Sequence, residues 1–94
     1  MPTHLGFFTA VHDGDLESAR AALDNDVLVD TRDAYGATAL MYACDRGDEA
    51  MVRLLIAHGA SPVMRVREQS ALRIAYSRGH ASLFRVLVTR LAKL

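Results

Sequence analysis

The sequence has little of several residue types that build covalent or cofactor sites. It contains one cysteine, two prolines, no tryptophan, three tyrosines and three phenylalanines in 94 positions. The single cysteine, Cys44, cannot form an internal disulfide, which favours a reducing compartment. No apolar run approaches the roughly 20 residues that span a bilayer, and the first eight residues lack the basic start of a secretory signal. We therefore expect a cytoplasmic protein that does not engage a membrane.

Net charge is also absent, although the two halves of the chain differ strongly. The formal net charge is zero at pH 7. Residues 1–47 carry three basic and eight acidic side chains, whereas residues 48–94 carry eight basic and three acidic ones. Such an asymmetry can mark a surface for a partner, or it can reflect two solvated faces of opposite sign. The sequence leaves both readings open.

The chain does contain an internal repeat with a period of 32 or 33 residues. Ala10 pairs with Ala43 and Gly14 with Gly47 at a spacing of 33, and the same alanine and glycine pair with Ala75 and Gly79 at a spacing of 32. Self-similarity at this period indicates a solenoid, in which each unit buries its apolar face by stacking on a neighbour. Ninety-four residues accommodate three such units.

The middle unit resembles an ankyrin repeat. The resemblance is carried by Asp33-Ala-Tyr-Gly-Ala-Thr-Ala-Leu-Met-Tyr-Ala43, followed by Gly47, Leu54-Leu55 and Gly59-Ala60. It extends weakly over residues 3–91 and implies an all-α repeat solenoid of three stacked helix-turn-helix units joined by hairpin-like loops. The units would cover about 1–32, 33–64 and 65–94. Met41 stands where the family has a histidine, so we expect the family's histidine hydrogen-bond network to be missing there.

Helix boundaries can also be read from the residues. Thr38 and Ser70 are good N-cap residues, each directly before a run with helical apolar spacing. The second helices are predicted over 16–25, 49–58 and 81–93. The loops are predicted over 26–37 and 59–69.

The second loop departs from the family pattern. It is one residue shorter than the first and has Glu68 at the position of the turn glycine. We expect a distorted hairpin there.

Catalysis, metal binding and cofactor binding have little support in the sequence. His4 and His12 lie eight residues apart, which is about 12 Å along a helix and too far for both to bind one ion. Cys44 falls on the apolar face of its helix, where cysteine usually packs as a small hydrophobic residue. No nucleophile elbow or glycine-rich phosphate loop is present. We expect no enzyme activity, no metal and no cofactor.

Nucleic acid is a further candidate partner because seven basic residues cluster between positions 65 and 93. Several phosphates could be neutralised by such a cluster. However, the isoelectric point is near neutral, and the three tyrosines do not alternate with the arginines in a stacking pattern. A solvated face or an acidic partner is the favoured interpretation.

The resemblance also implies which residues contact a partner. In the family, hairpin tips and the exposed sides of the first helices line a concave groove. Carried over to this sequence, the groove residues are Arg32, Tyr35, Ala37, Asp45 and Arg46 of the middle unit, with Tyr42 at its border; His4, His12 and Asp13 before it; and Arg67, Gln69, Ser77 and Arg78 after it. Tyrosine and arginine often anchor interfaces, although Tyr35 and Tyr42 could merely line the groove edge.

The sequence as a whole predicts a non-catalytic module that binds a protein partner, as a small adaptor or as an inhibitor, for instance of the immunity type. The alternative is a protein that associates with itself. The segment 83–94 is apolar over much of its helical circumference, and the two halves carry opposite charge. Copies could therefore meet head to tail through these ends.

Overall fold

The computed structural model describes the backbone of residues 4–93 and the side chains of residues 6–93. These residues form six helices: α1 (His4–Asp13), α2 (Leu16–Asp24), α3 (Ala39–Arg46), α4 (Glu49–Ala57), α5 (Ala71–Ser77) and α6 (Ala81–Ala92). Within this part of the chain no strand forms, and β pairing is limited to two isolated bridges. None of the six helices is long and apolar enough to cross a membrane.

The helices form three antiparallel pairs that stack in chain order. Within each pair the two helices pack together; α1, α3 and α5 form one layer, and α2, α4 and α6 form the other. The first pair is α1 with α2, the second is α3 with α4, and the third is α5 with α6. The all-α repeat solenoid predicted from the sequence is confirmed.

Side-chain caps determine where the helices begin. The Thr38 hydroxyl accepts the N–H of Met41 at 3.4 Å, and the Ser70 hydroxyl accepts the N–H of Arg73 at 3.2 Å. Both predicted N-caps are therefore present. The N–H of Thr38 in turn donates to the sulfur of Met41 at 3.5 Å, so a weak thioether acceptor stands where the family has an imidazole.

The second helices begin at carboxylates or at a histidine. Asp15 and Asp48 accept N–H groups three residues ahead, at 3.1 and 3.2 Å, and His80 precedes α6 without a side-chain cap. These carboxylates lie at the positive end of a helix dipole, where a negative charge is stabilising. The second helices end one residue earlier than the sequence predicted, which is the usual uncertainty of a helix end.

The core runs continuously through the three pairs. Its largest fully buried side chains include Phe7, Leu40, Met51, Leu55, Leu83 and Leu87. Complete burial of such a side chain contributes roughly 1.5–3 kcal/mol. Of the apolar stripe predicted on the last helix, Phe84 is half-buried and Val88 is exposed. The last helix thus keeps part of its apolar surface uncovered.

The two loops end in hairpins of different size. The first closes with a bridge between Arg32 and Thr38, and the second with a bridge between Val66 and Gln69 that leaves only two residues at its tip. The left-handed residue of the first tip is Gly36, with φ of 82°, whereas the second tip places Arg67 at φ of 55°. The shorter loop therefore forms a tighter hairpin with a non-glycine residue in a strained conformation.

Candidate protein-binding face

One surface of the solenoid is formed by the two hairpin tips and the exposed sides of α1, α3 and α5; it is called the hairpin face below. Asp33 organises its centre. One carboxylate oxygen of Asp33 accepts the N–H groups of Tyr35 at 2.9 Å and Ala37 at 3.0 Å. The other accepts a hydrogen bond from the hydroxyl of Tyr42. A single carboxylate therefore closes the first hairpin and ties it to α3.

The pKa values of this pair follow from the hydrogen bonds. Partial burial acts to raise the pKa of Asp33, but the hydrogen bonds from Tyr42 and from the two N–H groups outweigh it, so the pKa is lowered. The hydrogen bond to Asp33, with burial, raises the pKa of Tyr42 to about 12. The ionised carboxylate and the neutral phenol are thus the stable pair at neutral pH.

The ring of Tyr42 lies at the junction of the first and second helix pairs. Its centroid is 4.5 Å from that of the His12 ring, and it meets Phe8 edge to face at 6.0 Å. Aromatic pairs at these separations are stabilising beyond the area they bury. Tyr42 therefore joins two units, and it does so beside the exposed His12.

Two arginines at the same repeat position connect neighbouring pairs. Arg46 donates from its guanidinium to the carbonyl oxygen of His12. Thirty-two residues later, Arg78 forms an ion pair with Asp45, with 2.8 Å between Nε and Oδ1. His12 and Asp45 are themselves one repeat apart. One position in each repeat thus reaches back to the preceding unit.

Arg32 connects the two hairpins. Its guanidinium donates to the carbonyl oxygens of Gly36 and Arg65, each at 2.9 Å. The side chain is therefore committed to intramolecular contacts. Ala37, also predicted as a groove residue, is half-buried against the core, and its backbone pairs with Asp33.

The structure brings four of the predicted residues together in one groove of about 520 Å³ between the second and third pairs. Its lining consists of Asp45, Gln69, Ile74, Ser77 and Arg78. Ile74 was not predicted from the sequence. Its signal was nevertheless present, because Ile74 lies one repeat after Tyr42.

Three predicted residues stand apart from these contacts. Tyr35 is 83% exposed at the first hairpin tip, and Arg67 is exposed at the second. Asp13 is exposed at the end of α1. Among the described residues, none of these three side chains forms a hydrogen bond or ion pair. His4, predicted beside Asp13, has its side chain outside the described part of the chain.

Groups that could support chemistry are few. Among the residues whose side chains are described, no three of His, Cys, Asp and Glu lie close enough to hold a metal ion. Cys44 is fully buried, and burial raises the pKa of its thiol to about 12. The thiol is therefore protonated at neutral pH, and the thiolate needed for nucleophilic attack is not formed.

Comparison with known proteins agrees with this architecture. A family model for ankyrin repeats, in three copies, matches residues 7–93. The chain belongs to the ankyrin repeat family, whose members are generally protein–protein interaction modules and typically not catalytic. Among solved structures it is similar to the human ASB11 ankyrin repeat domain, with a TM-score of 0.77 and 31% identity. That match covers 88% of this chain and 38% of the other.

Proposed function

We propose that this chain is a non-catalytic adaptor or inhibitor that binds a protein partner through the hairpin face. The observation that carries the proposal is Tyr35, which is 83% exposed on a tip held by Asp33 and Arg32. Tyrosine supplies a large contact area at interfaces. A tip that is already hydrogen-bonded loses little conformational entropy when it binds.

The predicted contact residues fall into two groups in this proposal. Asp13, Tyr35, Arg67, Gln69 and Ser77 are exposed and free to meet a partner. Arg32, Ala37, Tyr42 and Arg46 form the frame that holds them, because each already has an intramolecular contact.

The Asp45–Arg78 pair lies between these groups. Its side chains are 48% and 61% exposed, and an exposed pair of this kind contributes only about 0.2–1 kcal/mol. Either partner of the pair can therefore turn to an opposite charge on a bound protein at small cost. His12 keeps its contact with Tyr42 but is exposed enough to be touched as well.

An inhibitory role is favoured over bridging of two proteins. The Cα atoms extend over 35 × 24 × 24 Å. One face of that size offers on the order of 800 Å², the area of one side of a standard interface. A single partner would occupy it. A cytoplasmic location fits the lone, buried Cys44, which contributes no disulfide.

The proposal is tested by capture of partners from the source cell, followed by affinity measurement with the purified partner. Tyr35→Ala combined with Arg67→Ala should weaken that complex at least about tenfold, because hot-spot truncations commonly cost more than 1.4 kcal/mol. Arg53→Ala is the matched control, since Arg53 is exposed on α4 and pairs only with Glu49. Affinity lost in the control variant and kept in the double variant would contradict the proposal.

A further inference from the structure

The outer side of the third helix pair carries an apolar groove of about 540 Å³ between α5 and α6. This end face is formed chiefly by Tyr76, Phe84 and Val88, with Arg85 at its edge. Tyr76 is 72% and Val88 42% exposed, and the rings of Tyr76 and Phe84 lie 5.7 Å apart. Large exposed apolar side chains grouped in this way mark an interaction surface more often than isolated ones do.

The repeat register shows what such a face does inside the solenoid. Tyr76 and Phe84 lie 32 residues after Cys44 and Val52, both of which are fully buried in the second pair. One repeat earlier, Val11 and Ala19 are also fully buried. In the first two pairs these positions are therefore covered by the next pair. In the third pair nothing among the described residues covers them.

The opposite end of the solenoid has a different character. Met51 and Leu54 are buried in α4, but the positions one repeat earlier are Ser18 and Ala21, both exposed. Small and polar residues there form a cap. A second copy stacked head to tail in repeat register would therefore offer the end face little apolar area.

The charge around the end face is of one sign. Residues 69–94 contain no aspartate or glutamate, and they carry four arginines and one lysine. Arg85 borders the end face and also lines a second groove with Arg90 and Lys93 on the other side of α6. None of these three has an ion pair among the described residues. Two copies meeting through this face would bring like charges together, which is unfavourable.

We propose that the end face binds an acidic amphipathic helix of another protein. The apolar side of that helix would cover Tyr76, Phe84 and Val88, and its carboxylates would pair with Arg85. The geometry is that by which α6 covers α4 within the chain. The end face is separate from the hairpin face, so either proposal can fail while the other stands.

The test uses a synthetic helical peptide of about 18 residues, long enough to form a helix, with leucine on one side and glutamate on the other. Two control peptides replace glutamate by lysine, or leucine by serine. Binding is followed by fluorescence anisotropy at low and high salt. Only the acidic, leucine-bearing peptide should saturate, and its affinity should fall as salt is raised.

Variants of the protein locate the site. Arg85→Glu should weaken binding of the acidic peptide at least about tenfold, as expected for reversal of one paired charge. Arg20→Glu is the matched control, because Arg20, Arg53 and Arg85 share one repeat position and all three are exposed. Val88→Ser provides a second, uncharged variant at a residue that contributes little to folding, and it should weaken binding as well.

Several outcomes would overturn the proposal. They are absence of saturable binding, equal binding of the lysine peptide, and equal loss in Arg20→Glu and Arg85→Glu. Competition by a 20-nucleotide single-stranded DNA at equal strength would show that phosphates bind instead. A molecular mass by light scattering that doubles with protein concentration, and returns to the monomer in Val88→Ser, would assign the end face to a second copy.

Discussion

Asp33 combines two roles that are usually assigned to different residues. Its carboxylate accepts backbone N–H groups within the first hairpin, which is a common use of aspartate in turns. The same carboxylate accepts the hydroxyl of Tyr42 on α3. Because Tyr42 also contacts His12 of the first pair, one carboxylate links a loop, a helix and a neighbouring unit. The stability of this junction should therefore depend on pH.

Tyr42→Phe should lower the free energy of unfolding at pH 7 by about 1–2 kcal/mol, the value of a hydrogen bond to a charged group. Asp33 has a lowered pKa in the folded protein, so its stabilisation is complete above its unfolded pKa of about 4 and is lost as pH falls through the folded value. The neutral phenol of Tyr42 stabilises below its unfolded pKa of about 10, and this is lost as pH rises towards 12.

Urea unfolding at pH 3, 7 and 10.5 checks this prediction. The variant should differ least from the wild type at the two extremes. Tyr35→Phe is the control, since the Tyr35 hydroxyl has no hydrogen bond within the described residues and should change stability by less than about 0.5 kcal/mol. An equal loss for Tyr42→Phe at all three pH values would show that the ring packs but does not couple to the carboxylate.

At the scale of the elements, the turn at the end of α3 decides how closely the second and third pairs approach. Gly47 ends α3 with φ of 74°. A Cβ atom placed on Gly47 would lie 2.8 Å from Cε1 of His80, the residue that precedes α6. The glycine is therefore required twice, for its backbone conformation and for the space that the histidine ring occupies.

Gly47→Ala should destabilise the protein more than Gly79→Ala, by about 1–2 kcal/mol. The two glycines have nearly equal φ, 74° and 73°, but a Cβ on Gly79 meets nothing within 4 Å. The difference between the two variants therefore isolates the contact with His80. Thermal and urea unfolding measure it.

A His80→Ala background supplies the control for this comparison. Without the imidazole ring, the two glycine substitutions should cost nearly the same amount, about 1–2 kcal/mol each for the left-handed conformation. If Gly47→Ala stays the more costly in that background, the strain lies in the backbone of the turn and not at the helix-pair contact.

At the scale of the whole molecule, stability is distributed along a line. Each helix pair packs mainly on its neighbours, and only the second pair is covered on both sides. In such a solenoid the free energy of unfolding is approximately the sum of unit terms and nearest-neighbour terms. The third pair, with its uncovered end face, should be the first to open.

Leu87→Ala and Leu55→Ala should therefore have different regional effects, although both leucines are fully buried. Each substitution should cost about 2–5 kcal/mol where it acts. Hydrogen exchange in Leu87→Ala should accelerate in residues 71–92 and leave α1 and α2 protected. In Leu55→Ala all three pairs should exchange faster. Uniform acceleration in both variants would show that the chain unfolds as one cooperative unit.

The helices, caps and repeat count could be read from the sequence because they depend on residues close together in the chain. Thr38 and Ser70 bond to N–H groups three residues away, and the apolar spacing identifies the buried side of each helix. The candidate groove was only partly predictable. Ile74 was missed although it shares its repeat position with Tyr42, because the family pattern drew attention to exposed polar residues.

What the sequence alone determined is the local plan: where helices start, where the chain turns, and that units of about 33 residues must stack to bury their apolar sides. Only the tertiary structure decided which polar side chains serve the frame and which stay free. Arg46 and Tyr35 could not be separated by type or spacing, yet Arg46 reaches the His12 carbonyl while Tyr35 extends into solvent. The reason is physical, since a contact between units depends on how two surfaces meet, and no single unit contains that information.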